Sequence, residues 1–241
     1  MEARNRNIRD WYGKVQRGEI TLPRFQRFEA WDQHRIASLI HTIIQNLPLG
    51  ITLVLEVGEE EQFISRHLQT APETSNKVHE HLLDGQQRLT ALWRVLHNNY
   101  QWATYFIYIK EFDRYDNDKP LEDMSIFWRG RYIKQKTRQR FPLWCDKPSQ
   151  TLFRGLIPTH LLRPEDIQSE IDDWLNKALP RPSINVGMDE FQQYFEYRQK
   201  ISDKIRDLRS IIANYNLPYL ALPAHTDKSI ALNVFINMNT N

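Results

Sequence analysis

Asp84-Gly85-Gln86-Gln87-Arg88 puts a carboxylate, a bare backbone position, two amides and a guanidinium into five consecutive residues. The apolar run His81-Leu82-Leu83 precedes it, and Leu89, Leu92, Trp93 and Leu96 follow at the spacing of one helix face. The pattern predicts a strand, a tight turn at Gly85 and then a helix. A helix start leaves backbone N–H groups without intrahelical acceptors, and its macrodipole attracts anions. Arg88 in the first turn adds a planar fork suited to phosphate oxygens, and Asp84 at the strand end can carry a metal ion. A cation there opposes the helix dipole, so an anionic ligand is one way to account for it. The simpler account is a structural turn, with Asp84 capping the helix and Arg88 paired with an acid. It fits two consecutive glutamines and an arginine less well.

The stretch from His81 to Leu92 resembles the signature of the GmrSD-type N-terminal domain family of bacterial restriction and phage-defence proteins. Leu22-Pro23-Arg24-Phe25-Gln26-Arg27-Phe28-Glu29-Ala30-Trp31 is similar to the family's opening P-x-F-Q-R-x-x-x-W box. Asn46-Leu47-Pro48-Leu49-Gly50 is similar to its next loop, and Phe235-Ile236-Asn237-Met238-Asn239-Thr240 to its F-x-x-x-N-[ST] box. The resemblance implies an α+β fold: a ParB/sulfiredoxin-like N-terminal core, then a mainly helical region. It also implies hydrolysis of a nucleoside triphosphate, GTPase-like in kind, at the D-G-Q-Q-R site. With a triphosphate bound, Arg88 would hold phosphate oxygens, Gln86 or Gln87 would orient the attacking water, and Asp84 would carry Mg²⁺. Gly85 would approach the phosphates closely; Arg24, Gln26 and Arg27 would close the site; Asn239 and Thr240 would add polar contacts. In the family a glycine and more helix follow the last box, so an effector domain, a nuclease, is expected beyond residue 241 or on a partner chain.

The elements that must position these residues follow from periodicity. Asn7 to Gly18 reads as a helix, and Asp32 as the N-cap of a second helix with Ile36, Leu39, Ile40, Ile43 and Ile44 on one face. The box between Gln26 and Trp31 reads as irregular. Strands are expected at residues 51–57, 78–83 and 104–112, with an exposed loop or hairpin over 58–79. Residues 1–112 would then form the core carrying the site, and residues 113–241 the mainly helical remainder. The latter opens on an acidic excursion with Asp113, Asp116, Asp118, Glu122 and Asp123. Next comes a basic run: Arg129, Arg131, Lys134, Lys136, Arg138 and Arg140. Arg131, Lys134, Lys136 and Arg138 could line one strand face near DNA phosphates, or could mark a solvated edge strand. Helices are expected at 165–178, 188–215 and 228–238, with a strand at 217–224. The apolar stripe of the long 188–215 helix either packs on the domain or meets a coiled-coil partner in a homo-oligomer.

Composition narrows the functional classes. Hydrophobic residues at 41% and charged ones at 26% suit a globular chain, and a net charge of +2 does not itself argue for nucleic-acid binding. Cys145 is the single cysteine, which excludes an intrachain disulfide and a cysteine-rich metal site. No run reaches the ~18 apolar residues of a membrane helix, and the polar start lacks a signal segment, so a cytoplasmic location with no membrane partner is expected. Walker, zincin, paired C-x-x-C and nucleophile-elbow motifs are absent, as is an HNH-like array, so this segment is not expected to cut DNA. His79 and His81 share a strand face and would bind a metal together or serve only packing. The seven tryptophans fill the core or line a base pocket. The leading reading is an NTP-hydrolysing regulatory domain of a restriction or anti-phage protein. The alternative is a ParB-like module that binds DNA or senses modified DNA without significant hydrolysis.

Overall fold

Ile8, Trp11, Tyr12 and Val15 recur at helical spacing, and the Asn7 side chain accepts from the Asp10 N–H, so α1 (Ile8–Gln16) begins at its cap. Asp32 caps α2 (Gln33–Ile44) through the Arg35 N–H, and the five apolar residues of its stripe are buried. Leu89, Leu92, Trp93 and Leu96 bury α3 (Gln86–Leu96) against the same core. The computed structural model describes residues 1–115, 121–182 and 187–240. Asp116 and Asp118 of the expected acidic excursion lie outside the described residues.

The fold is α+β, as expected. Six strands form a mixed sheet in the order β1 (Glu2–Asn7), β11 (Asn216–Leu222), β3 (Thr52–Glu56), β5 (Glu80–Asp84), β2 (Ile20–Pro23) and β4 (Ser65–Arg66). The pairs β11–β3 and β2–β5 are parallel and the others antiparallel. Three antiparallel strands, β10 (Arg154–Pro158), β6 (Ala103–Asp113) and β7 (Ile126–Gly130), form a second sheet. The hairpin of β8 (Tyr132–Ile133) and β9 (Arg140–Phe141) follows β7. The remaining helices are α4 (Pro148–Phe153), α5 (Gln168–Ala178), α6 (Met188–Asn214) and α7 (Lys228–Thr240). Among the described residues no helix is long and apolar enough to cross a membrane.

Side chains that alternate along a strand leave to opposite faces, and the larger sheet uses both. Val54 and Leu82 enter the main core with α1, α2, α3 and the second half of α6. Leu53, Leu55 and Leu83 form a smaller cluster on the other face, where Ala231, Leu232, Val234 and Phe235 of α7 pack. The α6 stripe therefore covers its own domain from Ile201 to Ile212, while Met188 and Phe195 stay exposed.

Three strands of the larger sheet escaped the periodicity reading, as did β10 of the second sheet. The segment Glu-Ala-Arg-Asn-Arg-Asn of β1 shows no apolar alternation because it is an edge strand held by backbone pairing to β11. β2 and β4 have only four and two residues, too few to establish a period. Charge ties β1 to the sheet. Both Arg6 Nη atoms sit 2.7 Å from the Glu80 carboxylate, one also donates to the Tyr219 hydroxyl at 2.9 Å, and Lys14 Nζ lies 3.1 Å from Glu80.

Burial would raise the Glu80 pKa, but the pairing with Arg6 and Lys14 overcomes it and holds the carboxyl below its ordinary 4.5. A depressed carboxyl stabilises the fold above its unfolded value and loses that contribution as pH falls through the folded one. Arg6→Ala is expected to cost roughly 3 kcal/mol near neutral pH. It should also flatten the fall of stability below pH 4.5, both read from urea unfolding at several pH values.

Candidate functional site

The junction between β5 and α3 is built on one left-handed residue. Gly85 has φ 94° and ψ 3°, a conformation that L side chains rarely adopt. A Cβ there would lie 2.8 Å from Thr52 Oγ1 and 2.9 Å from its Cγ2, on the neighbouring strand β3. The turn starts α3 with no side-chain cap. Asp84 therefore does not cap the helix, as the structural account of this turn had it. The first-turn N–H groups of Gln86, Gln87 and Arg88 have no intrahelical acceptor.

Across this helix start lies the irregular segment that follows β2, fastened by side-chain amides. Gln26 Nε2 donates to the Leu82 and Leu83 carbonyls at 2.6 and 2.8 Å. Gln86 Nε2 donates to the Arg27 carbonyl, and Gln87 Nε2 to that of Phe28 at 3.2 Å. Gln87 Oε1 accepts from the Ala30 N–H at 2.8 Å. Arg66 adds bonds to the Gln26 and Arg27 carbonyls at 3.3 and 3.2 Å, its guanidinium 4.4 Å from the Phe28 ring centre. Glu29 closes the segment, buried against Arg94 at 2.7 Å and accepting from the Tyr100 hydroxyl.

Arg88 is also anchored. Nη1 donates to the Gly50 carbonyl and Nη2 to that of Ile51 at 2.7 Å, with Asp84 Oδ2 3.5 Å away. Burial lowers its pKa and the nearby Asp84 carboxylate opposes that shift. A guanidinium stays charged in proteins, so Arg88 remains a fixed cation at the start of α3.

Above these groups opens a cleft of about 600 Å³. It brings together Gln26, Arg27, Asp84, Gly85, Gln86, Gln87 and Arg88, seven of the residues singled out in the sequence. Arg24 is exposed on the same segment but does not line the cleft. Asn239 and Thr240 end α7, and their side chains lie outside the described residues. Phe25, Trp31, Leu83 and Phe235 complete the lining. As apolar residues inside the opening, signature and closing boxes, they read as core; their adjacency to the chosen polar residues was the available signal. Among the described residues, Asp84 is the one acidic side chain lining the cleft, and no group of three or more metal-type ligands occurs. A cation held here would take one carboxylate and otherwise water or phosphate oxygens, which suits Mg²⁺.

The basic run divides. Arg131 is buried, its guanidinium paired with Asp146, donating to Thr104 Oγ1 at 2.9 Å and to the Phe141 and Arg140 carbonyls. It therefore does not share a solvent face with the other cations. Lys134, Lys136 and Arg138 are exposed in the loop of the β8–β9 hairpin, not alternating along a strand. His81 is buried with Nδ1 3.1 Å from Thr21 Oγ1, while His79 is exposed.

The family model described as "GmrSD restriction endonuclease, N-terminal domain" matches residues 8–241. Over 99 residues the chain is 33% identical to an uncharacterized protein of Methanocaldococcus jannaschii. That match covers 39% of this chain and 17% of the relative's length.

Gly85→Ala forces a Cβ onto Thr52 and a left-handed conformation onto an L residue. The expected cost is about 1–3 kcal/mol. The double variant with Thr52→Ala should recover the steric part alone, as read from denaturation midpoints. Equal stability of Gly85→Ala and wild type would refute this account of the turn.

Proposed function

Because the chain belongs to the GmrSD restriction endonuclease N-terminal domain family, and so to a restriction and defence context, we propose that its cleft binds and hydrolyses a nucleoside triphosphate with Mg²⁺. The observation that carries this reading is the uncapped start of α3 at the floor of the cleft. Backbone N–H groups with the positive end of a helix dipole form a phosphate cradle, and Gly85 removes the side chain that would keep the phosphates away. The order β5–Gly85-Gln86-Gln87-Arg88–α3 is also the strand–G-x-x-R–helix order of ParB-like triphosphate sites.

The hydrogen bonds support a division of work within the cleft. Arg88, tethered to the Gly50 and Ile51 carbonyls, supplies fixed positive charge beside the cradle. Arg27 is exposed at the cleft and free to reach phosphate oxygens. Asp84 would carry Mg²⁺ through water, and the ion would neutralise charge on the transferred phosphoryl group. The Nε2 atoms of Gln86 and Gln87 hold the opening segment, and Gln87 Oε1 holds the Ala30 N–H. Of these two glutamines, Gln86 is the one whose Oε1 stays available to orient an attacking water. Phe25, Trp31 and Phe235 give the base an apolar wall. The nucleotide state would govern an effector, a nuclease, in a C-terminal domain or on a partner chain.

One observation favours the binding-module reading. Gln26, Gln86, Gln87 and Arg88 all donate to backbone carbonyls, so few side-chain donors remain for a transition state. Phosphate release across the four NTPs with Mg²⁺ separates the two. Turnover is expected, lost in Asp84→Asn with nucleotide binding kept, and shifted in KM about tenfold in Arg27→Ala. Arg88→Ala should abolish turnover and also cost about 1–3 kcal/mol, since two carbonyls lose their donors. Nucleotide binding without turnover in the wild type would favour the module over the hydrolase. No nucleotide binding at all would sink the hydrolase reading, leaving the module to a gel-shift assay on plain and modified DNA duplexes.

A further inference from the structure

The three-stranded sheet has a face that the main core does not use. Tyr105, Ile107 and Ile109 of β6 enter the principal core, whereas Phe106 and Tyr108 join Leu156, Phe127 and Trp144 on the other side. A 3-10 turn at Leu143–Asp146 sets the Trp144 ring 5.9 Å from that of Phe106 and 6.4 Å from that of Phe127. Beside it opens a pocket of about 260 Å³ walled by Tyr108, Tyr115, Phe127 and Trp144. Asp113, Arg129 and Arg154 supply its charge.

The lining states what would fit. The volume falls below the ~300–1,000 Å³ of drug-sized ligand sites, so one planar ring system suits it. Arg154 lies 4.6 Å from the Tyr115 ring centre and 4.8 Å from that of Trp144, a cation held between two aromatic walls. Asp113 accepts from the Tyr108 hydroxyl and the Tyr115 N–H, both at 2.8 Å, and keeps lone pairs for an exocyclic amino group. Among the described lining residues, two arginines against one aspartate favour an anionic ligand. A nucleobase carried on a phosphate backbone meets all three conditions.

Chain continuity joins this pocket to the exposed cations. β7 carries Phe127 and Arg129 and runs through Arg131 into β8, while β9 returns through Pro142 to Trp144. The hairpin is thus rooted between two walls of the pocket. Its root is fixed by Arg131 on Asp146 and by Arg140 donating to the Tyr100 and Ala103 carbonyls at 2.5 and 2.9 Å. Its outer part shows Lys134, Lys136 and Arg138, with Tyr132, 63% exposed, stacked on Phe141 at 5.7 Å. Along the chain, exposed cations flanked by the Tyr132–Phe141 pair thus lie between two walls of a base-sized hole. We propose that the pocket takes one nucleobase unstacked from a DNA strand whose flanking phosphates run along Lys134, Lys136 and Arg138. It shares no residue with the cleft at Gly85, and the restriction context makes the strand DNA.

Fluorescence anisotropy of a short labelled single DNA strand tests this. Affinity is expected to fall steeply with salt, and Lys136→Ala should reduce the slope of log affinity against log salt by about one. Arg154→Ala and Tyr115→Ala should each weaken binding about tenfold with unchanged melting temperature. NTP turnover should not change in Arg154→Ala, so failure here is separable from failure of the cleft reading. No binding, binding indifferent to both pocket variants, tighter binding of an RNA strand, or displacement by an equal concentration of mononucleotide would each overturn the proposal.

Discussion

A segment without regular structure brings carbonyl oxygens that no ladder can satisfy, and near a protein interior each needs a donor. Residues 24–31 are such a segment, and they cross the start of α3. Gln86, Gln87 and Arg66 reach from the surrounding elements to their carbonyls, and Gln26 reaches back to those of β5. Glutamine suits the task because its amide donates and accepts at the end of a side chain long enough to span two backbones. Gln87 does both, bonding Phe28 and Ala30 at once. The two sequence boxes are therefore two halves of one fastening, and the cleft exists because they are fastened.

Electrostatics at the same corner follow from that fastening. The left-handed Gly85 leaves the first turn of α3 uncapped, so the positive end of the dipole is not answered by an N-cap carboxylate. Arg88 adds a cation there, unfavourable by itself, and the Gly50 and Ile51 carbonyls with nearby Asp84 make it tolerable. The corner keeps positive character toward the cleft while its guanidinium is satisfied from behind. A site arranged this way is organised before a ligand arrives, which lowers the ordering cost of binding.

How much of this was legible depends on what each residue answers to. α1, α2 and α3 were readable because caps and apolar spacing agree locally, at Asn7, at Asp32 and along Leu89 to Leu96. β1 was not, since its evidence is the pairing partner more than two hundred residues away. The polar members of the cleft were found by type. Their bonding was hidden, because a glutamine that orients water and one that holds a carbonyl look alike in sequence. Arg131 shows the same limit: an arginine among exposed cations proved to be the buried one, since Asp146 and Thr104 meet it only in the folded hairpin root.

β11 and α7 support the site from behind. β11 inserts between β1 and β3, so the strand bearing Thr52 takes its other neighbour from residues 216–222. α7 then packs Phe235 beside Leu53, Leu55 and Leu83 and into the cleft lining. Thr52 sets the room available at Gly85, and Leu83 immediately precedes the Asp84–Gly85 turn. The geometry of the signature turn thus depends on contacts made by the last thirty residues as well as on its own five. A change in how α7 sits would reach the cleft through Phe235 and through the cluster under β3 and β5. Under the proposed function, an adjoining effector would have a direct mechanical route to the cleft, and by linkage a bound nucleotide would have the same route back.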